Sequence, residues 1–417
     1  MIVKHTLSNG VRIVAEQIPH VRSVSVGLWV GTGSRFESHD NNGISHFLEH
    51  MFFKGTKCRT ARQLAEAFDE IGGEVNAFTS KELTCYYAKV LSEHFHVAID
   101  ILADMFFESC FASEEIAKEK KVITEEIRMV EDTPDDIVHD LLAEATYGQH
   151  PLGFPVLGSV DNVLRFEREQ LFSYYEKMYR PDNLVIAIAG NIPEDYIQIL
   201  EKYFQSFHRA PVENKMDPPT FSSQEIVRQK ATEQIHICIG FPGASLTDEQ
   251  FYAYILLNNV IGGNMSSRLF QEVREERGLA YSVYSYHTAR RDCGLFTIYA
   301  GTSPEQANDV ITVIAEVINE IREKGMTKEE LSKAKEQLKA SLLMGLESTG
   351  SRMSRLGKNE LLIGEHPSLD ELVERIESVS LEDTQLAAQS IFSGKSSLAL
   401  ISPDDRLPSA YRRDLFA

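Results

Sequence analysis

Residues 111–127, FASEEIAKEKKVITEEI, superpose on residues 326–342, MTKEELSKAKEQLKASL, at a shift of 215 residues that sets Ile116 on Leu331. A long charged helix that recurs at such a distance makes the chain a duplicated unit, and at 417 residues each half is long enough to bury its own core. Other elements recur in outline. In the first half, helical periodicity runs over 43–53, 61–71, 94–107 and about 114–130, with strands at 24–30 and 84–90. The second half has strands at 235–240, 280–286 and 294–300, helices after Asp248 and a helix over 304–323. This pattern predicts an α+β fold of two homologous domains. Asn9-Gly10, between two apolar runs, predicts a hairpin with a two-residue turn. VGTGSRF (30–36) lacks the ending of a phosphate loop and reads as a strand-ending turn. Prolines and polar residues concentrate in 207–222, so the domains are expected at 1–210 and 223–417, joined by a linker at 211–222.

The shared register also separates the halves: Glu119 falls on Ala334 and Glu126 on Ser341, so the second copy has lost its carboxylates. Whatever chemistry the long helix supports belongs to one copy. The residues it serves stand in GISHFLEHMFFKGT (43–56), where His46 and His50 are four apart on a helical stretch and share a face. That spacing lets two neutral imidazoles reach one zinc ion, with Glu49 beside the metal and able to take a proton from water. A catalytic zinc needs a third protein ligand and an open position. A carboxylate on the long helix meets the first need: Glu119 and Glu126, seven apart, face one way, while Glu125 is turned by about 100°. The competing reading is a surface helix with solvated histidines. Phe47, Leu48, Met51, Phe52 and Phe53 oppose it, because so apolar a helix is buried and its polar groups then need partners.

Charge and composition exclude other classes. The 62 acidic residues against 42 basic give −20, which repels nucleic acid and either favours cationic partners or serves only as a solubility device. The N-terminus has no basic stretch followed by an apolar core, and no run approaches the roughly 18 apolar residues of a membrane span, so a cytoplasmic chain with no membrane partner is expected. Five scattered cysteines without CxxC pairing argue against both a disulfide framework and a thiolate metal site.

SHFLEHMFFKGT, GGEVNAFTSKELTCYY, VITEE, HPLGFPVLG and GGNMSSRLFQEVREERGLAYSVYS, in that order, resemble the M16 peptidases, the inverzincin group that includes pitrilysin, insulin-degrading enzyme and the mitochondrial processing peptidase. The resemblance spans essentially the whole chain and is nearest the two-domain branch of the processing peptidase β subunit and its bacterial homologues. It implies antiparallel-rich sheets packed with helices, forming half of a clam-like shell. It implies one zinc per chain held by His46, His50 and Glu126, Glu49 as general base, and Glu119 as a carboxylate orienting the site. Asn76 corresponds to a residue that binds substrate backbone, beside an edge strand to which a peptide can add. Arg274 and Tyr281 correspond to a pair that contacts the substrate carbonyl opposite the metal. Because half a shell needs a second half, and this chain carries both sets, a homodimer is expected. The activity implied is zinc-dependent endopeptidase cleavage of peptides or unfolded segments in an enclosed chamber, with basic peptides favoured by the charge. The alternative is a noncatalytic or partner-dependent subunit, as in relatives that have lost the pentad; here it is intact, and IGGNMSSRLF (261–270) lacks the glycine-rich insertion of the α subunit.

Overall fold

LVIAIAG (Leu184–Gly190) and SLALIS (Ser397–Ser402) are apolar at nearly every position, a sequence suited to strands covered on both faces. The computed structural model, which describes residues 2–212, 216–404 and 406–416, places each of them inside a sheet. Strands β1 (Ile2–Thr6), β2 (Arg12–Gln17), β3 (Ser23–Val30), β4 (Glu74–Thr79), β5 (Thr84–Leu91) and β6 (Leu184–Gly190) form the first sheet, in the order β1-β2-β6-β3-β5-β4. Strands β7 (Glu225–Gln229), β8 (Ile235–Gly243), β9 (Ser282–Ala289), β10 (Gly294–Thr302) and β11 (Ser397–Ser402) form the second, in the order β7-β11-β8-β10-β9. Apart from the extra edge strand β1, the two orders are the same. In each the strand from the end of the repeat runs parallel to the first, β2 with β6 and β7 with β11, while the remaining pairs are antiparallel. The duplication expected from one helix is therefore a duplication of the sheet.

One face of the first sheet packs on α1 (Ile44–Met51), α2 (Ala61–Glu70) and α3 (Phe95–Glu108) around a core that includes Val24, Phe47, Phe52, Phe106 and Ile186. The long charged helix is α4 (Ser113–Glu131), with Glu114 and Glu115 in its first turn and Arg128 in its last, as the helix dipole favours. α5 (Pro134–Tyr147) follows it and lies on the second sheet, across β7, β8 and β11, through Val138, Leu141 and Leu142. The other face of the first sheet is covered by the helix Thr349–Leu362, across β2, β3 and β6. There Trp29 Nε1 lies 3.2 Å from Met353 Sδ and Ser25 Oγ lies 2.9 Å from Thr349 Oγ1. A Cβ at Gly357 would run into the Trp29 indole, so glycine is required for the approach.

The compact units are accordingly not the two sequence halves. One comprises 1–128, 154–216 and 345–366, and the other 129–153, 217–344 and 367–417. The linker at 211–222 does lie at a division, but two helical segments are exchanged across it, because each sheet takes its second cover from the other repeat. The β1–β2 hairpin also departs from expectation. Leu7 N–H donates to Val11 O and Gly10 N–H to Leu7 O, both at 2.9 Å, so the turn has three residues with Gly10 at φ 97°. The Asn9 amide is engaged instead in donating to Phe204 O at 2.7 Å and Phe207 O at 2.9 Å. Among the described residues no helix is long and apolar enough to cross a membrane.

Candidate functional site

The face of α1 carrying Phe47, Leu48 and Met51 is sunk in the core, which turns the polar positions of the helix toward α4. The helix begins at Gly43 with no side-chain cap of its own. Its first amides are met by a carboxylate from the preceding loop: Glu37 Oε2 accepts from Gly43 N–H at 2.8 Å and Glu37 Oε1 from Ser45 N–H at 2.9 Å. An anion at a helix N-terminus is stabilised by the unsatisfied amides it meets there. Glu37 was not among the expected site residues, and its role depends on a loop conformation that no local spacing encodes.

His46 Nε2 lies 3.7 Å and His50 Nε2 3.6 Å from Glu126 Oε2, and the two imidazole rings stand 4.7 Å apart. Among the described residues, this trio forms a metal-competent group, with ligating atoms all within 4.8 Å of one another. Tetrahedral zinc with ligands at 2.0–2.1 Å would set its donors about 3.3 Å apart, and the Glu126 oxygen already lies within a few tenths of an ångström of that separation from each imidazole nitrogen. The state of the ligands fits too. Burial, with a smaller contribution from His50, pushes His46 down to about 3, leaving the neutral imidazole that binds metals.

Glu49 stands beside this group. Burial raises its carboxyl above the ordinary range, Thr79 and His50 oppose that shift, and Glu126 adds to it. Its Oε2 is buried with no hydrogen-bond partner among the described residues, and so is His46 Nδ1. A buried oxygen of this kind is costly unless something arrives to use it. Glu119, two turns before Glu126 on α4, is 3% exposed and puts Oε2 3.0 Å from His50 Nδ1 and Oε1 2.8 Å from Lys54 Nζ. Burial pushes its carboxyl up, but these two partners prevail and hold it below the ordinary range. Glu125 points away, to Arg128 on the exposed side of the helix.

Beside Glu49 and His50 opens a cavity of about 420 Å³ with apolar walls from Phe53, Leu64, Phe68, Val75 and Met105, and Asn76 also lines it. Asn76 belongs to β4, the outermost strand of its sheet, and its Oδ1 accepts from Ala77 N–H at 2.8 Å. In the second unit, Arg274 sits on a six-residue π-helix, Phe270–Glu275, with its guanidinium 4.7 Å from the Phe270 ring and 4.5 Å from that of Tyr281. Tyr281 is 76% exposed, so the pair is preassembled and open to a ligand. Within each unit, then, the structure gathers the expected residues; Glu37, Thr79 and Lys54 are additions that lie outside the two ligand helices or just past the end of one.

The chain matches the insulinase (peptidase family M16) domain over residues 12–160 and the peptidase M16 inactive domain over residues 165–338. The uncharacterized zinc protease YmxG of Bacillus subtilis is 53% identical to it over 409 residues, 98% of this chain and 100% of that protein. An uncharacterized zinc protease of Streptomyces coelicolor is 43% identical over 410 residues, 95% of this chain and 89% of its own length. Among solved structures, a protease from Helicobacter pylori superposes with a TM-score of 0.90 at 21% identity, covering 97% of this chain and 99% of its own. A chain of complex III2 from Candida albicans superposes at 0.86 with 22% identity over 100% of both chains. At such identities the likeness is one of fold.

Proposed function

This chain belongs to the M16 peptidase family, and from that premise we propose that it is a zinc-dependent endopeptidase in which His46, His50 and Glu126 hold the metal and Glu49 is the general base. The observation that carries the reading is the convergence of those three ligating groups beside a buried carboxylate with a free oxygen. Zinc held there would supply Lewis acidity, making water acidic near about pH 7 and polarising a peptide carbonyl. Glu49 takes the proton of the attacking water and returns it to the leaving amine. Its raised affinity for protons suits both halves of that transfer. Glu119 keeps the Nδ1 edge of His50 engaged, so that Nε2 is the edge left for the metal.

Substrate enters this reading as an extended strand. The free edge of β4 accepts it by backbone hydrogen bonds, Asn76 exchanges its contact with Ala77 for one with the peptide, and an apolar side chain next to the scissile bond fills the cavity walled by Phe53, Leu64 and Phe68. Arg274 and Tyr281 of a second copy stabilise the developing oxyanion, in a homodimer with two sites. The net charge of −20 favours basic peptides. The deciding experiment is zinc content together with cleavage of a quenched-fluorescent peptide library, for the parent chain and for Glu49→Gln. About one zinc per chain in both proteins, with turnover on the order of 10²- to 10⁴-fold lower in the variant, is the expected result. Zinc without cleavage in the parent would move the function to a partner-dependent or noncatalytic subunit, and full activity in Glu49→Gln would remove that residue from the mechanism.

A further inference from the structure

His50 and Lys54 are four residues apart, and the backbone continues in a helical turn past α1, with Lys54 N–H donating to Met51 O at 3.1 Å. Both side chains reach the same carboxylate, one oxygen each: His50 Nδ1 at 3.0 Å from Glu119 Oε2, and Lys54 Nζ at 2.8 Å from Glu119 Oε1. This is not an ordinary surface ion pair of small value, because Glu119 is 3% exposed while Lys54 is 29% exposed in its side chain. The carboxylate has left water, and the lysine, still partly in it, is the fixed charge that accompanies it. A carboxyl group with one oxygen tied down has little freedom to rotate, so its second oxygen is directed at Nδ1 and the opposite edge of the imidazole at Glu126.

We propose that Lys54 is a positioning residue of the metal centre: by anchoring Glu119 it fixes the orientation of His50 and thereby the affinity of the site for zinc. Lys54 also lines the cavity beside Glu49 and His50, but the role assigned to it is exerted through Glu119. The second repeat supports this division of labour. Where α4 has Glu119, the helix Lys328–Gly345 has Ala334, equally buried, and a methyl group there needs no cation. The proposal rests on the zinc-site reading above.

Zinc affinity of the full chain, measured by competition with a chromogenic chelator, tests it on Lys54→Met, Lys54→Arg, Glu119→Gln and the double variant Lys54→Met/Glu119→Gln. The visible spectrum of each protein loaded with cobalt(II) reports ligand geometry independently of turnover. Lys54→Met is expected to bind zinc about 10- to 100-fold more weakly, the usual effect of losing an outer partner of a ligating histidine, with displaced cobalt bands. Lys54→Arg, which keeps the charge, should restore the parent spectrum and most of the affinity. The double variant should bind no more weakly than Glu119→Gln alone, since coupled residues are non-additive. If Lys54→Met does not fold, Lys54→Gln takes its place in the same cycle. Parent-like zinc affinity and spectrum in Lys54→Met, or additive losses in the double, would overturn the role of Lys54 while leaving the metal centre intact. A parent chain that binds neither metal would overturn both.

Discussion

The helix α4 and the helix Lys328–Gly345 hold the same place in two copies of one fold, yet among the described residues one contributes to a metal-competent cluster and the other does not. The difference is not only in the ligands. α1 packs on β4, and the helix Phe251–Ile261 packs on β9, its counterpart in the strand order. Aligning Leu48 with Leu257 puts Asn258 and Asn259 where the first unit has Glu49 and His50. The side-chain oxygens of both have partners at home. Asn258 Oδ1 accepts from Ser285 Oγ at 2.7 Å, and Asn259 O and Oδ1 accept from the Asn264 amide at 2.8 Å and 3.1 Å. In the first unit the corresponding groups include buried atoms without partners, Glu49 Oε2 and His46 Nδ1. At these matched positions one copy pairs its side-chain oxygens and uses them as structure; the other keeps Glu49 Oε2 and His46 Nδ1 without partners, at a cost in stability, where chemistry can use them.

The comparison is broken most directly at the ligand helix. Glu126→Gln should weaken zinc binding at least 10- to 100-fold, whereas Ser341→Gln at the matching place in the second repeat should leave zinc affinity unchanged; chelator competition reads both. If the two changes have equal effects, the division into one working and one silent copy is wrong. The next test concerns how the copies cooperate. Glu49→Gln and Tyr281→Phe chains are each expected to be nearly inactive, but after subunit exchange a mixture should recover about a quarter of parent turnover, because random pairing gives half hybrids with one intact site each. No recovery would mean that both sets of residues act within one chain, and activity of Tyr281→Phe alone would make Tyr281 dispensable.

Smaller effects sharpen the energetic side. Ala334→Glu restores the carboxylate to the second repeat without the partners that Lys54 and His50 provide in the first, and should destabilise the protein by on the order of 3 kcal/mol in thermal or denaturant unfolding. A silent substitution there would show that the matching position is far wetter than its 1% exposure implies. The smallest effect is pH-dependent. In the metal-free protein, burial raises the Glu49 carboxyl above its ordinary value of 4.5, so the folded state favours the protonated form. That contribution is fully present below the unfolded-state value and is lost as pH rises through the raised folded one. Glutamine is neutral at every pH. Metal-free Glu49→Gln should therefore melt on the order of a few degrees above the parent at neutral pH, with the gap closing as pH falls through the raised folded value and gone below the ordinary value of 4.5. A pH-independent gap would refute the electrostatic origin.

What the sequence determined by itself is whatever a single element dictates. Helix geometry makes residues four or seven apart neighbours, so the pairing of His46 with His50 and of Glu119 with Glu126 is legible from numbering alone, and the loss of both carboxylates at Ala334 and Ser341 is legible from the repeat. The alternation of apolar residues likewise marked β3, β5, β8 and β10 to within a few residues. What only the tertiary structure decided is which distant groups meet: Glu37 on the first amides of α1, Thr79 on Glu49, Lys54 on the outer oxygen of Glu119, and the exchange of α5 and the helix Thr349–Leu362 between repeats. A spacing rule is a property of one rigid element, whereas these contacts join separate elements, from six residues apart for Glu37 and Gly43 to hundreds for the exchanged helices, and their choice depends on how whole surfaces pack.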